Sequence, residues 1–396
     1  MCTENRQACA AIDIRQLYRL PYSKNDNPNG WLEITTRCNA RCPGCYRGCH
    51  LDENAGEHKE LDAVKDEVVV LERIRNCHTI SISGGEALMH PDLDAVVAFI
   101  RGRGLRSLLY TNGRLLTRRR VGELRVAGLD GIIVRVDTLG EEEGVREKDL
   151  NGRRDRLLRL ITATDGVLPA FTMVLDKRNI GQVGDVLDWA EKRQIGFLVL
   201  IARRDFIFRE GDRPDTKGYI HQRDLTAALS GRDGFRFAAF LGSRLEDEQV
   251  KWIQAFRVVH RGRTLGYGDR KLAEIMQGWH HLLQGKYCYV EKVENIRLSP
   301  LMLVFLALVN RSMRGVLGSW VRAVLRRPSG LFERPSLQVI NSVFPPEFVD
   351  GRRDFCDGCP DAILHEGKLV PSCVLEEIKA FGAPCRMDES RIEAGR

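Results

Sequence analysis

The 396-residue chain opens without a secretion signal: MCTENRQACAAIDIRQLYRLP has neither a basic leading segment nor an apolar core. Leu301 to Val309 is almost wholly apolar, yet with its neighbours it is too short to span a bilayer. Net charge is +7, but the arginines are scattered and no basic stripe with interleaved aromatics occurs, so nucleic acid is not an expected partner. What is plentiful is cysteine. Twelve cysteines without a secretion signal point to metal binding in a reducing compartment, not to disulfides, and a cytoplasmic location is expected. Hydrophobic residues at 43% and charged residues at 29% provide for a large globular core. The length suits two domains, or one barrel with an extension.

Three of the cysteines follow the β-branched run WLEITTR in a C-x3-C-x2-C spacing: Cys38, Cys42 and Cys45. Thiolates are soft ligands for zinc or for iron–sulfur clusters. The triplet alone suits either three of four ligands of a structural zinc site or a cubane cluster with one iron left open. After a helical stretch, Leu61 to Ile74, a second strand ends in Gly84-Gly85-Glu86-Ala87, and a third ends in Thr111-Asn112-Gly113.

These motifs, in this order, resemble the radical S-adenosylmethionine (radical SAM) superfamily, with a resemblance covering roughly Trp31 to Ala202. That family carries its cluster loop after strand one, a GGEP-like turn after strand two and often TNG after strand three. Two positions depart from it. Gly44 stands where an aromatic usually precedes the third cysteine, with Tyr46 just after, and the turn ends in alanine instead of proline. The resemblance implies a [4Fe–4S] cluster on Cys38, Cys42 and Cys45 that binds SAM at its open iron. It also implies SAM contacts from Tyr46, Gly84, Gly85, Glu86 and Asn112.

Strands are predicted at 31–36, 78–83, 105–111, 131–137, 168–175 and 196–202, each followed by a helical pattern or the cluster loop. Six β–α units predict an α/β fold, a partial (β/α)6 barrel whose chemistry lies at the C-terminal ends of the strands. In the fourth strand Ile132, Val134 and Val136 share one face, and Ile133, Arg135 and Asp137 the other. In the second strand, Ile80 and Ile82 oppose Thr79, Ser81 and Ser83, so a polar lumen is expected. Arg135 and Asp137 either pair with each other or reach the ribose or carboxylate of the cosubstrate.

Organisation is read as a lead-in (1–30), the barrel (31–202), a barrel-closing substrate region (203–297), an amphipathic segment and linker (298–349) and an auxiliary-cluster extension (350–396). Within the third region, 203–217 reads as loop, 244–257 and 270–284 as helices, and 231–242 as holding a strand. His260, His280 and His281 have no ligand-like spacing and are read as surface or packing residues. In 298–327, Val309, Met313, Val316, Leu317, Trp320, Val321 and Val324 share a face opposite Arg311, Arg314, Arg322 and Arg326. That segment is either a core-packed helix or a surface for peripheral membrane contact.

Near the C-terminus, Cys356 and Cys359 form a C-x2-C, followed by Cys373 and Cys385 after thirteen and eleven intervening residues. Four thiolates close a site. Zinc is one reading. The resemblance gives the other, a shortened auxiliary-cluster domain holding a second iron–sulfur cluster of the [4Fe–4S] kind. AILHEGKLV, between the cysteines, reads as a hairpin around Glu366-Gly367. Cys49, Cys77 and Cys288 stand as substitutes for any of the four, of which Cys385 is the least secure.

The expected chemistry follows from the resemblance. An external donor such as flavodoxin or ferredoxin reduces the first cluster, SAM is split to methionine and a 5′-deoxyadenosyl radical, and the radical takes hydrogen from an unactivated carbon. A second cluster can accept the electron left behind, which favours net oxidation or bond formation. No catalytic side chain is named. Thirty residues before Trp31 leave no room for a leader-peptide domain, so a small or amphipathic metabolite is the expected substrate and a ribosomal peptide the alternative. A zinc- or cluster-bearing scaffold without catalysis is the reading from another class.

Overall fold

The computed structural model describes residues 12–49, 56–141, 143–207, 216–230, 232, 234–245, 249–291, 294 and 296–386. Cys2 and Cys9, and most of the loop expected at 203–217, lie outside them. A two-residue strand, β1 (Tyr18–Arg19), precedes the six β–α units: β2 (Asn29–Thr35), α1 (Leu61–Arg75), β3 (Thr79–Gly84), α2 (Leu93–Gly102), β4 (Arg106–Thr111), α3 (Arg118–Ala127), β5 (Gly131–Arg135), α4 (Asn151–Thr162), β6 (Leu168–Leu175), α5 (Val183–Lys192), β7 (Phe197–Ala202) and α6 (Gln222–Ser230). Then come β8 (Ala239–Gly242), β9 (Val250–His260), β10 (Arg263–Tyr267), α7 (Arg270–Gln284), α8 (Pro300–Val309), α9 (Arg311–Arg326), β11 (Ser336–Val343), β12 (Glu347–Val349), β13 (Arg352–Asp354), β14 (Ala362–His365), β15 (Lys368–Pro371) and α10 (Leu375–Phe381).

β2 to β7 pair in parallel, each with the next, as the repeated β–α pattern requires. The sheet then runs on. β11 adds a seventh parallel strand beside β7, β9 lies antiparallel to β11, and β8 and β1 complete the path while β10 pairs with β9. Two expectations are corrected here. The helix read at 244–257 is strand β9, because it lies between β8, β10 and β11 with all eleven positions buried. The linker read within 298–349 contains β11, a central strand of the sheet.

The alternation in the strands separates two apolar layers. Ile80, Ile82, Ile132 and Val134 face outward against Val64, Val68 and Leu71 of α1 and their counterparts on later helices. On the other face, Leu108, Ile133, Leu168 and Phe197, from the N-terminal or middle parts of their strands, pack against Tyr289, Ile296, Leu303, Met313 and Trp320. The lumen is thus plugged at its N-terminal end by α7 to α9 and the segment between α7 and α8, and is polar only towards the C-terminal ends. Ser299 caps α8 ahead of Pro300. Asn310 ends α8 and caps α9, its Oδ1 accepting from the Met313 N–H at 3.1 Å. Among the described residues, no helix is long and apolar enough to cross a membrane.

Candidate radical SAM site

The cysteine loop leaves the C-terminal end of β2, and the glycine turn after β3 grips its base. The Gly85 N–H donates to the Thr35 carbonyl (2.8 Å) and the Glu86 N–H to the Arg37 carbonyl (2.7 Å). Only glycines allow this approach: a Cβ would stand 2.2 Å from the Thr35 oxygen at Gly84 and 2.0 Å from the Arg37 oxygen at Gly85, and Gly84 has φ +126°. Gly84 and Gly85 therefore seat the loop.

Glu86 does not offer its carboxylate to a ligand. It is 1% exposed. One oxygen accepts from the Leu88 N–H (3.1 Å) and the Thr111 hydroxyl (2.7 Å), the other from the Asn112 N–H (2.8 Å). Burial raises its pKa, against the pull of these bonds. Through these bonds Glu86 joins the turn after β3 to that after β4. Asn112 passes the link on, its side-chain N–H2 donating to the Asn39 Oδ1 at 2.7 Å inside the cysteine loop.

Cys38, Cys42 and Cys45 are half-buried and electrostatically coupled. Cys49 joins them. Its thiol hydrogen-bonds with Cys38 and Cys45, which lowers the Cys38 pKa and drives that of Cys49 far up. Cys49 was expected as a spare for the C-terminal set, and the structure places it in the first one. Its signal was the second x3 spacing, Cys45 to Cys49. Arg135 and Asp137 form a two-pronged ion pair, with Nε to Oδ2 at 2.7 Å and Nη2 to Oδ1 at 3.2 Å. Burial opposes the charge on Arg135, but Asp137 and the thiols of Cys42 and Cys45 keep its pKa raised. Asp137 also accepts from the Leu139 and Val174 N–H groups, so the pair is built into the wall beside the thiols.

Tyr46 lies between the ends of β2 and β3, its hydroxyl 3.4 Å from the Ser83 Oγ. Its hydroxyl donates to Glu33 at 3.0 Å, and its ring packs with Trp31, Ile363 and Leu375 under the C-terminal extension. Arg47, next along, reaches Glu33 at 3.0 Å and Glu376 of α10, tying the loop to both β2 and the extension.

The C-terminal cysteines lie on a knuckle docked against the barrel's open edge. Asn27 and Asn29 donate to the Gly358 and Pro360 carbonyls (2.9 and 3.2 Å), and Arg75 to that of Cys359 (2.7 Å). A Cβ at Gly358 would meet the Tyr22 oxygen at 2.1 Å. Cys359 hydrogen-bonds with Cys356, which together with burial pushes its thiol well up; burial, with the charge of Cys359 nearby, raises Cys373 likewise. Cys385 lies instead beside Glu377, which accepts from its N–H at 3.2 Å. The expected hairpin is β14–β15, turning at Glu366 and Gly367. Cys77 and Cys288 are buried elsewhere.

Residues 32–190 match the Radical SAM superfamily. Fe-coproporphyrin III synthase of Methanosarcina barkeri is 27% identical over 180 residues, 44% of this chain and 44% of its own. PqqA peptide cyclase of Gluconobacter oxydans is 31% identical over 169 residues, 41% of this chain and 45% of its own. The crystal structure of Streptococcus suis SuiB bound to S-adenosylmethionine aligns with a TM-score of 0.36 and 14% identity, over 47% of this chain and 42% of that one. The matches span less than half the length of these curated relatives.

The superfamily uses a [4Fe–4S] cluster and SAM, and the loop fits such a cluster. Three half-open thiols are gathered over a backbone clamp, with the half-buried Arg135 guanidinium against two of them. Six parallel strands, the three motifs at their C-terminal ends and the matched 159-residue segment agree: residues 32–190 of this chain form a radical SAM domain.

Proposed function

We propose that the chain uses SAM to generate a radical that abstracts hydrogen from an unactivated carbon, with an auxiliary cluster on Cys356, Cys359, Cys373 and Cys385 serving a net oxidation or bond-forming step. The bound cluster and SAM supply the radical. The protein's residues hold and orient them: Cys38, Cys42 and Cys45 as ligands, Gly84 and Gly85 as the close backbone surface, Glu86 and Asn112 as the brace. Arg135 balances thiolate charge and, with Asp137, lines the mouth. The observation that carries this reading is the convergence of the two turns on the cysteine loop at one edge of the sheet.

The substrate we favour is a small or amphipathic metabolite with an anionic group. Arg135 and Arg203 stand at this mouth, Arg203 against Gly44, although each is also paired with aspartate. α8 is not part of the mouth. It packs below the N-terminal half of the sheet, exposing Leu301, Phe305 and Leu308 beside the arginines of α9, which supports a peripheral contact with an anionic membrane surface. A peptide substrate is the second reading, favoured by the resemblance to PqqA peptide cyclase.

Anaerobic protein reduced with dithionite, or with flavodoxin or ferredoxin, should convert SAM to 5′-deoxyadenosine. Cys42→Ala should abolish this, since two remaining motif thiolates leave the cluster incompletely held. Cleavage by that variant at the parent rate would overturn the assignment.

A further inference from the structure

The N-terminal edge of the barrel, opposite the cysteine loop, carries a separate group of ligating side chains. His280 lies in the last turns of α7, and Cys288 and Glu291 follow in the segment leading to α8. One donor atom from each lies within 4.8 Å of the other two, and the Cys288 Sγ is 3.4 Å from the Glu291 Oε1. Bonds of about 2.0–2.3 Å at tetrahedral angles put ligand atoms about 3.3–3.8 Å apart, so small side-chain shifts close the set around one ion.

The surroundings orient these groups. The His280 Nδ1 is 2.7 Å from the Lys286 carbonyl. A carbonyl only accepts, so Nδ1 carries the proton and Nε2 keeps a bare lone pair, as in a second-shell contact that fixes a ligating tautomer. Gln277, one turn earlier on α7, grips the Cys288 backbone from both sides, donating to its carbonyl (2.9 Å) and accepting from its N–H (3.1 Å). The Tyr22 hydroxyl donates to the same carbonyl at 3.0 Å. Cys288 is therefore held in register with His280.

An orphaned nitrogen points to a fourth donor. His78, just before β3, packs edge-on to His280 with ring centroids 5.0 Å apart, and its Nδ1 is buried without a hydrogen-bond partner. Two cations pack nearby. Arg106 donates to the Val290 carbonyl and lies 3.9 Å from Asp130, while Lys286 donates to the Cys77 carbonyl at 2.9 Å.

We propose that His280, Cys288 and Glu291, with His78 as fourth ligand, form a structural zinc site that staples the segment after α7 to the barrel floor. The donor mixture of sulfur, nitrogen and oxygen selects zinc over calcium or magnesium, which take oxygen. Four protein ligands leave no position for substrate, so the site's role is structural. It would fasten the plug that fills the lumen's N-terminal half, and it stands whatever the cysteine loop binds.

The test uses the full chain with its iron–sulfur clusters reconstituted, so that their thiols are engaged, and washed with a chelator. About one zinc per chain should remain, with one sulfur and three nitrogen or oxygen neighbours by X-ray absorption. Cobalt(II) exchanged into it should show thiolate-to-metal charge-transfer absorption. Cys288→Ser and His280→Ala should each lower retained zinc at least tenfold with iron unchanged, and Cys288→Ser should lose the cobalt band. Parent protein that retains no zinc and gives no cobalt–thiolate band overturns the proposal, and needs no variant to fold. So does a shell of four sulfurs, which would place the zinc on the C-terminal cysteines.

Discussion

The two cysteine regions are held in opposite ways. In the loop after β2, neighbouring glycines clamp backbone to backbone, and side chains from the turns after β3 and β4 brace one flank. The thiols are left facing the polar end of the lumen, where a cosubstrate and a substrate can approach. In the C-terminal knuckle, the carbonyls of Gly358, Cys359 and Pro360 are each taken by a side chain of the barrel edge. That knuckle is docked through its own backbone, and its mobility is spent on attachment. An open centre needs a rigid seat and a free side; a closed one needs four ligands and a dock. The two are coupled through Arg47, whose guanidinium lies between Glu33 and Glu376.

The sharpest test separates the regions by chemistry. Replacing Cys356 and Cys359 together by serine should lower iron by about one cluster's worth. The variant should still form 5′-deoxyadenosine, since that step uses the first loop, and should form little product. Full iron and full product yield would show that the knuckle holds no working cluster. A zinc knuckle predicts instead unchanged iron, lost zinc and poor folding.

Next in size is the bridge itself. Arg47→Met removes the cation that bridges Glu33 and Glu376 and leaves Glu33 buried beside the Tyr46 hydroxyl. Removing one partner of a buried ion pair costs about 3 kcal/mol. Denaturant unfolding should show that loss, with the extension's near-ultraviolet aromatic signal moving first. An unchanged midpoint would mean the two regions dock without this contact.

Much of the first region was legible in the residues because its signals are local. Cysteine spacing, Gly-Gly-Glu and Thr-Asn-Gly each lie within a few residues, and period-two strands announced six of the seven parallel positions. Harder to read were features set by distant partners. β9 carries the helix-like SRLEDEQVKWIQ just before and within it, and pairing with three strands overrides that preference. β11 became central only because β7 had a free edge. His78 is some two hundred residues from His280 in sequence, so spacing gave no hint of their contact. Glu86 shows a different limit: its hydrogen-bond partners depended on where Thr111 and Asn112 would fall.

That dependence gives a smaller effect. Glu86→Ala should leave the cluster in place and weaken SAM binding about tenfold, roughly 1.4 kcal/mol, by loosening the brace on the cysteine loop. Glu86→Gln, which keeps acceptors for Thr111 and one N–H, should recover part of the loss. A carboxylate acting directly on the ligand's ammonium would give equal losses in both variants. Equilibrium titration of the cluster-loaded protein with SAM distinguishes the two.

The smallest effect concerns how the extension is tethered beyond its knuckle. Arg204, just after β7, pairs with Glu347 at the start of β12, and the His221 Nδ1 lies 3.4 Å from the same carboxylate. Burial alone would raise the Glu347 pKa, but His221 and Arg204 bring it down to about 2. A carboxyl with a depressed folded pKa stabilises the fold above its unfolded value, about 4.3, and loses that contribution as pH falls towards the folded value. With the side chain partly exposed, the contribution is discounted to about 1 kcal/mol. Glu347→Gln should therefore be less stable than the parent by that amount at neutral pH. The gap should narrow as pH falls from about 4.5 and close near 2. Cluster-free protein is the right material, because acid strips iron–sulfur centres and would mask the difference. A gap that stayed constant across this range would assign the effect to packing, with the extension's polar attachment resting on the knuckle, Arg47 and the buried Lys251–Asp354 ion pair.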